Sequence, residues 1–577
     1  MQAPNHIFSK QQWRELHSLL NELDDKQSLW LSGYLAATAI ESTATENSTN
    51  LNIPLIAFGT ETNNCKQLAY LFRDLCRKSG INVDVSDLSY IKPRALYKRD
   101  HFVVITSTHG DGAPPEPITP FYEALFSNDA PKLNNIKFSV LALGDSSYEK
   151  FCATGIQIDH RLEELGGHRF LPRQDCDVDY EESAKKWMAS LLTLLPRSSK
   201  NASDKLHLNL PITPSECNKS NPVTLEVLSN LNLSSKSRKD PIHHLELAIG
   251  SNTISVEPGD AVGVYVANPP ELVAALLDAT GLSAEHPVTL DGHALQLVEA
   301  LREHRDLTIP SLALLEYWSN LTNDTELTTI ANSTKPDQRR YLRTIQVSDL
   351  IIKQPAHPDP QSLINTLRPL QPRLYDVSNS LSAIDDEIHL TVKMYRYPFG
   401  KRREEGIASR FLLELQPGDS ITIYPHQNTR FHLPKDNTTP VILFAEGTGI
   451  APYRAFIQKL STLEQAPQCW LLFKEQHFEE DFLYQIDIQR AHINNVITHI
   501  DTVFYGDSCE ATLHSIALKN EQRLMSWIDK GAHLYFCGKR ATLEHCESQL
   551  KRHYDFCLGE GKWTSLSKSK RIHRNLY

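Results

Sequence analysis

Short apolar runs alternate with amphipathic segments between residues 51 and 196. The runs are rich in β-branched and aliphatic side chains, which is typical of buried strands, and the segments between them carry apolar side chains at helical spacing. The predicted strands are 53–58, 82–85, 102–106 and 138–143, and the predicted helices are 65–79, 120–125, 155–165 and 181–195. Strands that alternate with helices in this way predict a doubly wound parallel sheet in an α/β protein.

A linker rich in Ser and Pro at 197–222 separates this region from one with a different pattern. Strand-like segments dominate from 223 to 436, with turn sequences such as Pro258-Gly259-Asp260 between them. The predicted strands include 224–228, 243–249 and 388–397, a short helix is predicted at 407–415, and helices at 271–277, 295–305 and 312–321 lie within a mostly helical stretch at about 270–365. This pattern predicts an antiparallel β-barrel with a helical insertion.

The alternating pattern returns over residues 437–577 and predicts a second doubly wound domain. Its predicted strands are 441–444, 470–473, 496–500 and 532–537, and its first predicted helix is 453–460. At the other end of the chain, residues 1–50 indicate two short helices with exposed apolar side chains, followed by a polar linker. These helices either mediate docking or homo-oligomerisation, or pack on their own domain, and the sequence leaves both possibilities open.

Composition narrows the function classes. The 577 residues include 59 Lys and Arg against 70 Asp and Glu, a formal net charge of −11, which argues against a nucleic-acid partner. No stretch approaches the roughly 18 apolar residues of a membrane span, and the N-terminus has no signal-peptide pattern. The ten cysteines include no CxxC pair, so neither a metal site nor a disulfide framework is indicated, and a cytoplasmic location with reduced thiols is expected.

Three loops, at 59–64, 107–112 and 143–148, each follow a predicted strand of the first sheet. Ligands of doubly wound sheets lie beyond the carboxyl ends of the strands, where these loops meet. The first loop offers hydroxyls and backbone N–H groups at a helix N-terminus, which suits a phosphate. In the third loop, Tyr148 is available for ring stacking and Asp145 for polar contacts.

Two further stretches indicate nucleotide-like ligands. Arg373 and Tyr375 lie two residues apart on a predicted strand and therefore face the same way. A guanidinium on a pyrophosphate and a phenol on a ring system would suit a flavin dinucleotide, although a strand with no ligand can also carry an Arg and a Tyr. Gly447-Thr448-Gly449 precedes the helix at 453–460 and suits another pyrophosphate.

The three loops resemble the FMN-binding loops of flavodoxin-type domains. The order of the parts resembles the diflavin reductases across essentially the whole chain, and among them the flavoprotein subunits of bacterial NADPH-dependent sulfite reductases. The specific features are Leu29–Tyr34, Asp481–Gln485 and the aromatic C-terminal Tyr577. The resemblance implies that hydride passes from NADPH to FAD and single electrons pass to FMN. They would then reach a siroheme iron–sulfur hemoprotein subunit that reduces sulfite to sulfide.

The resemblance also implies site residues. For FMN these are Thr60, Glu61, Thr62, Asn63, Asn64, Cys65, Ser107, Thr108, His109, Gly110, Leu143, Gly144, Asp145, Ser146, Ser147, Tyr148 and Cys152. For FAD they are Arg373, Leu374, Tyr375, Asp376, Thr391, Val392, Lys393, Tyr397, Gly406, Ile407, Ala408, Ser409 and Tyr577, and for the nicotinamide pyrophosphate Gly447, Thr448 and Gly449. Tyr577 would stack on the flavin and swing aside for nicotinamide.

The chain departs from this family where the 2′-phosphate of NADPH would bind. The family's Arg and Lys correspond to Gly506 and Ala511. Each lost charge-assisted bond is worth roughly 1.5–3 kcal/mol, so losing both predicts a penalty of roughly 3–6 kcal/mol, or about 10² to 10⁴ in affinity. Lys474, Lys539 or Arg540 either restores a cationic pocket or is a solvated surface cation.

The chain also departs at the hydride-transfer position, where the resemblance assigns catalytic roles. The family's Ser, Cys and Asp correspond to Asp376, Cys537 and Asn575, and Tyr577 completes the set. A carboxylate beside a flavin that becomes anionic on reduction is repulsive unless it is protonated or paired. The substitution predicts a lower FAD reduction potential or slower hydride transfer than with Ser.

Three functions remain open from the sequence. The first is an NADPH-dependent diflavin reductase that supplies a sulfite-reducing hemoprotein. The second is a diverged reductase that uses NADH or serves another heme partner, which the lost cations would explain. The third is a flavin-binding electron-transfer or scaffold subunit with a weak nicotinamide site.

Overall fold

The computed structural model describes residues 53–196 and 217–577, apart from 62–63, 110–111, 147, 220, 237, 251, 253, 291 and 508–510. The chain divides into two units, Met1–Lys205 and Leu206–Tyr577. The predicted helices at 1–50 and the linker from 197 to 216 lie outside the described residues. Within the described ranges, no helix is long and apolar enough to cross a membrane.

The first unit is a parallel sheet covered by helices. Its strands are β1 (Leu55–Gly59), β2 (Asp84–Asp87), β3 (His101–Ser107), β4 (Lys137–Leu143), β5 (His168–Arg169) and β6 (Gln174–Cys176), and its helices are α1 (Asn64–Lys78), α2 (Thr119–Phe126), α3 (Ala153–Glu164) and α4 (Tyr180–Leu194). The strand order is β2-β1-β3-β4-β5, with β6 also paired to β4. The predicted alternation of strands and helices is confirmed.

Successive residues of β1 pack on opposite faces of this sheet, as the strand pleat requires. Ile56 and Phe58 join the core formed with α1 and α4, whereas Leu55 and Ala57 join the core formed with α2 and α3. Both faces are therefore covered, which explains the continuous apolar runs in the sequence. The edge strand β2 is only partly buried and begins two residues later than its weak apolar pattern predicted.

The second unit begins with a predominantly antiparallel region. Its strands are β7 (Val223–Asn232), β8 (Ile242–Ala248), β9 (Ala261–Val264), β10 (Pro287–Leu290), β11 (His293–Gln296), β12 (Arg373–Asp376), β13 (Glu387–Lys393), β14 (Arg396–Phe399), β15 (Arg402–Glu405) and β16 (Ser420–His426). Six of them form one sheet in the order β12-β9-β16-β7-β8-β13. A bridge between Val377 and Leu390 brings the two edge strands together, as the predicted barrel requires.

The insertion is helical apart from the β10–β11 hairpin. Its helices are α5 (Pro270–Thr280), α6 (Leu297–Glu299), α7 (Leu312–Thr322), α8 (Thr325–Ala331), α9 (Lys335–Leu342), α10 (Val347–Lys353) and α11 (Pro360–Thr366), and α12 (Ile407–Glu414) follows in the barrel. The helix predicted at 295–305 is wrong at its start, because Leu295 belongs to the β10–β11 hairpin. The Asp291-Gly292 dipeptide is a common hairpin-turn sequence that explains the difference.

A second parallel sheet closes the chain. Its strands are β17 (Val441–Glu446), β18 (Cys469–Glu475), β19 (His499–Phe504), β20 (His533–Gly538) and β21 (Ile572–Leu576), in the order β19-β18-β17-β20-β21. Its helices are α13 (Ala451–Ser461), α14 (Phe478–Asp481), α15 (Gln485–Ile493), α16 (Leu513–Lys519), α17 (Glu521–Asp529), α18 (Arg540–Leu558) and α19 (Lys562–Lys568). Strand β19 begins later than predicted, because Val496 and Ile497 bond the Ala491 carbonyl in the turn after α15.

The barrel and the second parallel sheet share a core. The fully buried ring of Phe431, from the segment after β16, packs on Tyr453, Phe456 and Tyr535 of the sheet domain. The shared core fixes the barrel strands relative to the turn after β17, where the sequence predicts a nucleotide site.

A buried ion-pair network reinforces this junction. Arg238, in the loop between β7 and β8, contacts Glu475 at 2.9 Å and also pairs with Asp481. The three side chains are 13%, 7% and 3% exposed, so solvent screens the pairs only weakly. Asp481 belongs to the Asp481–Gln485 segment that carries part of the family resemblance, and its structural role is to anchor Arg238.

We expect Arg238→Ala to lower the free energy of unfolding of the second unit by about 3–5 kcal/mol, because it leaves two buried carboxylates unpaired. Scanning calorimetry of the full chain measures the change. The control is Arg340→Ala, which removes an ion pair to Asp337 from an Arg that is 77% exposed and should cost less than about 1 kcal/mol. Equal effects of the two variants would contradict the role assigned to Arg238.

Candidate functional site

Three loops meet at one edge of the first sheet, beyond the adjacent parallel strands β1, β3 and β4. His109 Nδ1 in the second loop lies 2.8 Å from Glu61 Oε2 in the first. The backbone N–H of Thr108 donates to the Leu143 carbonyl at 3.1 Å, which connects the second loop to the third. The structure therefore brings the three predicted loops into contact.

The third loop presents an aromatic ring on a constrained backbone. The backbone N–H of Ser146 donates to Asp177 Oδ1 at 3.0 Å, and the Ser146 hydroxyl donates to the other carboxylate oxygen. A Cβ at Gly144 would lie 2.8 Å from the Cys152 nitrogen, so the close approach of these backbones requires glycine. Tyr148 is 53% exposed and can stack on a flat ligand.

Two of the predicted FMN contacts, Cys65 and Cys152, have fully buried side chains. Burial raises the pKa of the Cys65 thiol to about 12 and that of Cys152 still further. Both are neutral thiols that pack inward, so a ligand could reach them only through the backbone. Four other predicted contacts lie outside the described residues: Thr62, Asn63, Gly110 and Ser147.

The first loop fits a phosphate group. Thr60 Oγ1 is buried close to the Cys65 thiol. It lies just before α1, whose first-turn N–H groups have no partner within the helix and carry the positive end of its dipole. A hydroxyl and backbone donors in this position match the needs of a phosphate.

Strand β12 carries the predicted pair Arg373 and Tyr375, and it pairs with β9 so that Tyr375 lies opposite Val262. Arg373 is exposed, whereas Tyr375 is half-buried and burial raises its pKa to about 12. The strand thus presents a cation toward solvent and a neutral phenol nearer the interior. This combination fits a ligand with an anionic linker and an aromatic ring.

The other predicted FAD contacts lie in several environments. The hydroxyls of Thr391 and Tyr484 are 2.6 Å apart. Val392 is fully buried in the barrel core, so only its backbone could meet a ligand. Ser409 is buried. The remaining predicted contacts are half-buried or exposed, and they are Leu374, Lys393, Tyr397, Gly406, Ile407 and Ala408.

The start of helix α12 and the residue Ser378 supply the observations that test whether FAD fits. The helix begins after Gly406 without a side-chain cap, which leaves its first-turn N–H groups for another acceptor. Ser409 does not serve them, because its hydroxyl accepts from the Tyr395 N–H at 3.0 Å. The hydroxyl of Ser378, two residues after Asp376, is fully buried close to the Tyr484 phenol. The first-turn N–H groups of α12 and this buried hydroxyl are compatible with a dinucleotide.

The four predicted hydride-transfer residues come together where the barrel meets the second sheet. Strand β21 pairs with β20 so that Asn575 lies opposite Cys537. Asn575 Nδ2 donates to Asp376 Oδ1 at 2.9 Å, joining the C-terminal strand to β12. The hydroxyl of Tyr577 lies 2.8 Å from Thr448 Oγ1, in the turn after β17.

Burial controls the protonation of this cluster. It raises the pKa of Asp376 to about 6, and the hydrogen bond from Asn575 opposes that rise. Burial and the charge of Asp376 raise the pKa of the Cys537 thiol well above its usual value, and burial does the same for the Tyr453 phenol. Asp376 is therefore the group in this cluster that titrates near neutral pH.

The glycine turn after β17 approaches β20 closely. A Cβ at Gly449 would lie 2.0 Å from the Cys537 carbonyl oxygen, and Gly447 has φ = +60°. Both positions therefore favour glycine. The turn leads into α13, where backbone N–H groups can meet a pyrophosphate.

Sequence reasoning missed a polar cluster behind the barrel strands. Arg454 of α13 donates to the Ser378 carbonyl at 2.9 Å and to Asp487 at 3.1 Å, and its guanidinium lies 4.9 Å from the centre of the Tyr484 ring. Tyr484 also contacts His244 Nδ1 at 2.9 Å. Tyr484 lies in the Asp481–Gln485 segment, and the family resemblance of that segment was the one signal that could have pointed to this cluster. The residues that Tyr484 contacts are distant in sequence, so no local pattern identifies them.

A cavity of about 280 Å³ lies at the start of α18. Of the three candidate cations, Lys474 and Lys539 line it, together with Thr512, His514 and His545. Arg540 instead bonds Glu544 at 3.1 Å and the Leu576 carbonyl at 3.1 Å. Two of the three predicted cations thus share one cavity, next to Ala511, the position to which the resemblance assigns the family's Lys.

Comparison with protein families agrees with the order of the domains. The family models Flavodoxin, FAD binding domain and Oxidoreductase NAD-binding domain match residues 56–187, 215–411 and 443–548, respectively. Each of the three candidate sites draws residues from the corresponding range.

Named relatives match nearly the whole chain. A sulfite reductase [NADPH] flavoprotein alpha-component of Bacillus subtilis is 36% identical over 564 residues, which cover 94% of this chain and 93% of that protein. Proteins of the same name from Shewanella sp. (strain ANA-3) and Vibrio parahaemolyticus are 35% and 33% identical, cover 92% of this chain, and are themselves covered to 90% and 88%. The chain therefore belongs to the family of sulfite reductase [NADPH] flavoprotein alpha-components.

Proposed function

We propose that the protein is a diflavin oxidoreductase that passes electrons from NADPH through FAD and FMN to a siroheme iron–sulfur hemoprotein subunit, which reduces sulfite to sulfide. The names of its relatives and its three domains support this proposal. The observation that carries it is the contact between Asp376 and Asn575, which joins the candidate FAD strand to the nicotinamide domain.

The chain's own residues bind and orient the cofactors. We assign FMN to the three loops of the flavodoxin-like domain at 51–196, which lies in the first unit. We assign FAD to the barrel at 223–436 and the nicotinamide to the domain at 437–577. When bound, flavins supply the capacity to accept two electrons and release them singly. Thr60 and the start of α1 would hold the FMN phosphate, and Arg373 and the start of α12 the FAD pyrophosphate.

The junction residues set the conditions for hydride transfer. Arg454 fixes the segment after Asp376 by bonding the Ser378 carbonyl, so α13 and β12 keep a constant spacing. The backbone of Tyr577 is fixed by hydrogen bonds with Gly538 and Arg540, whereas its side chain is 58% exposed and its hydroxyl contacts Thr448. This supports a role for the ring as a displaceable cover. Asp376 would place negative charge at this position once it ionises.

The cavity at α18 supports a role in cofactor specificity. We assign the 2′-phosphate of NADPH to Lys474 and Lys539, with His514 and Thr512 as further partners. The lost cations at Gly506 and Ala511 favour the alternative, in which the enzyme uses NADH. A subunit with flavins but a weak nicotinamide site is the remaining alternative.

The proposal also covers the cellular compartment and the oligomeric state of the protein. The described cysteines are all free thiols, which supports a reducing compartment such as the cytoplasm. Homo-oligomerisation through residues 1–50 remains a proposal that rests on their sequence pattern.

Anaerobic mixing of the flavin-loaded protein with NADPH, and separately with NADH, tests the function. We expect flavin absorbance to bleach faster with NADPH, because the cavity offers cations to the 2′-phosphate. Bleaching by NADH alone would identify an NADH-dependent reductase. Flavins that bleach with neither donor would contradict the reductase assignment and favour the scaffold.

We expect Asp376→Ser to speed nicotinamide-driven bleaching above pH 6 and to raise the FAD midpoint potential, because it removes a carboxylate beside the flavin. Below about pH 6 the carboxyl of the unmodified protein is protonated, so the rates of variant and parent should converge there. Stopped-flow absorbance and a potential titration measure the two effects.

The control for this variant is Asp385→Ser, which removes an exposed carboxylate nine residues further along the same segment. It should change neither the potential nor the pH profile. An Asp376→Ser protein with the parental rate and potential at pH 8 would show that Asp376 does not oppose hydride transfer.

We expect Lys539→Ala to raise the KM for NADPH about 10-fold to 150-fold without changing that for NADH, since one charge-assisted bond to phosphate is worth about 1.5–3 kcal/mol. Steady-state kinetics with both donors measures this. Lys551→Ala, which removes an exposed cation within α18, should leave both values unchanged. An unchanged KM for NADPH in the Lys539→Ala protein would mean that this residue is a solvated surface cation.

A further inference from the structure

Three potential metal ligands meet on the surface at the far end of α18. His553 and Cys557 lie near its C-terminal end, and Glu521 is the first residue of α17. Cys557 is seventeen residues after Arg540, so it lies about 25 Å along the helix from the cavity at its start. The cluster is therefore separate from the candidate nicotinamide site.

The helical spacing places the first two ligands on one face. His553 and Cys557 are four residues apart on α18, which brings their side chains together. Cys557 Sγ lies 3.5 Å from His553 Nε2 and 3.6 Å from Glu521 Oε1, and His553 Nε2 lies 2.9 Å from the same carboxylate oxygen. The three atoms converge on one point at the surface.

These separations fit a tetrahedral zinc ion. Bonds of about 2.0–2.3 Å to nitrogen, oxygen and sulfur place neighbouring ligand atoms about 3.3–3.8 Å apart in a tetrahedron. The two distances from Cys557 Sγ fall within this range. The distance between His553 and Glu521 is that of a hydrogen bond and needs to lengthen by only a few tenths of an ångström. Cys557 is exposed, which leaves a fourth position for water.

The chemistry of the set also favours a soft divalent cation. A thiolate and an imidazole select zinc over Mg²⁺ or Ca²⁺, which prefer oxygen ligands. On binding, the S–H bond breaks, the proton leaves to solvent and an S–Zn bond forms.

A second group of potential ligands is a weaker candidate. His244, Glu246 and His389 also lie close together, but in the barrel interior. His389 Nε2 contacts Glu387, and its Nδ1 lies 3.2 Å from the cationic Arg454. A guanidinium at this distance repels a metal ion, so the contacts of this group favour a structural network.

We propose that Glu521, His553 and Cys557 form a surface site for Zn²⁺. The ion would connect the first residue of α17 to the end of α18 across 36 residues of chain. A closed loop of this length restricts the unfolded chain, so zinc would also stabilise the contact between α17 and α18.

The test uses the full, flavin-loaded, reduced and metal-free protein. Calorimetric titration measures Zn²⁺ affinity, and iodoacetamide labelling followed by peptide mass mapping measures the reactivity of Cys557 itself. We expect one Zn²⁺ per chain, at least tenfold slower labelling of Cys557 in its presence, and no effect of Mg²⁺. We expect Cys557→Ser and His553→Asn each to weaken Zn²⁺ binding at least tenfold. Unchanged flavin absorbance verifies that these variants fold.

The matched controls are Glu560→Gln and Cys217→Ser, which remove an exposed carboxylate and a half-buried thiol outside the cluster. Both should keep the parental affinity. The chain has 24 His, so weak zinc binding elsewhere is expected and does not support the proposal. The proposal would be overturned if Zn²⁺ did not slow the labelling of Cys557, or if Cys557→Ser left the Zn²⁺ affinity unchanged. The three side chains would then form only a hydrogen-bonded contact.

Discussion

The fixed junction between the barrel and the second parallel sheet is the constraint on which the candidate hydride site depends. Phe431 buries its ring among three aromatic rings of the sheet domain, and Arg454 bonds the Ser378 carbonyl of the barrel. Apolar packing supplies stability without direction, whereas the guanidinium sets a specific distance between α13 and the segment after β12. Hydride transfer requires donor and acceptor atoms that are aligned and about 3–3.5 Å apart, and a fixed junction can hold them in that geometry.

The same junction explains how a changed set of residues can remain consistent with the family's chemistry. Where the resemblance places Ser and Asp, this chain has Asp376 and Asn575, and the two are hydrogen-bonded. One carboxyl group is thus retained, but it lies on the barrel strand instead of the C-terminal strand. Because burial raises its pKa to about 6, its charge depends on pH in the range where the enzyme would work.

The sequence predicts both parallel sheets because their central strands are buried on two faces and appear as continuous apolar runs. It does not predict β21, whose His573, Arg574 and Asn575 are polar residues on an edge strand that faces the site. The contact between Asp376 and Asn575 joins residues 199 positions apart, and no local pattern carries such information. Family resemblance located both residues, but only the fold reveals that they are bonded.

The electrostatics of the α18 cavity distinguish its two lysines. Lys474 Nζ lies 3.2 Å from Glu446 Oε1, and both side chains are mostly buried, so the carboxylate offsets much of the lysine's field. Lys539 is exposed at the N-terminal end of α18, where the helix dipole also favours an anion. A 2′-phosphate that enters this cavity would therefore gain more from Lys539 and the first turn of α18 than from Lys474. Lys539 would then supply a cation in place of the one that the resemblance assigns to Ala511.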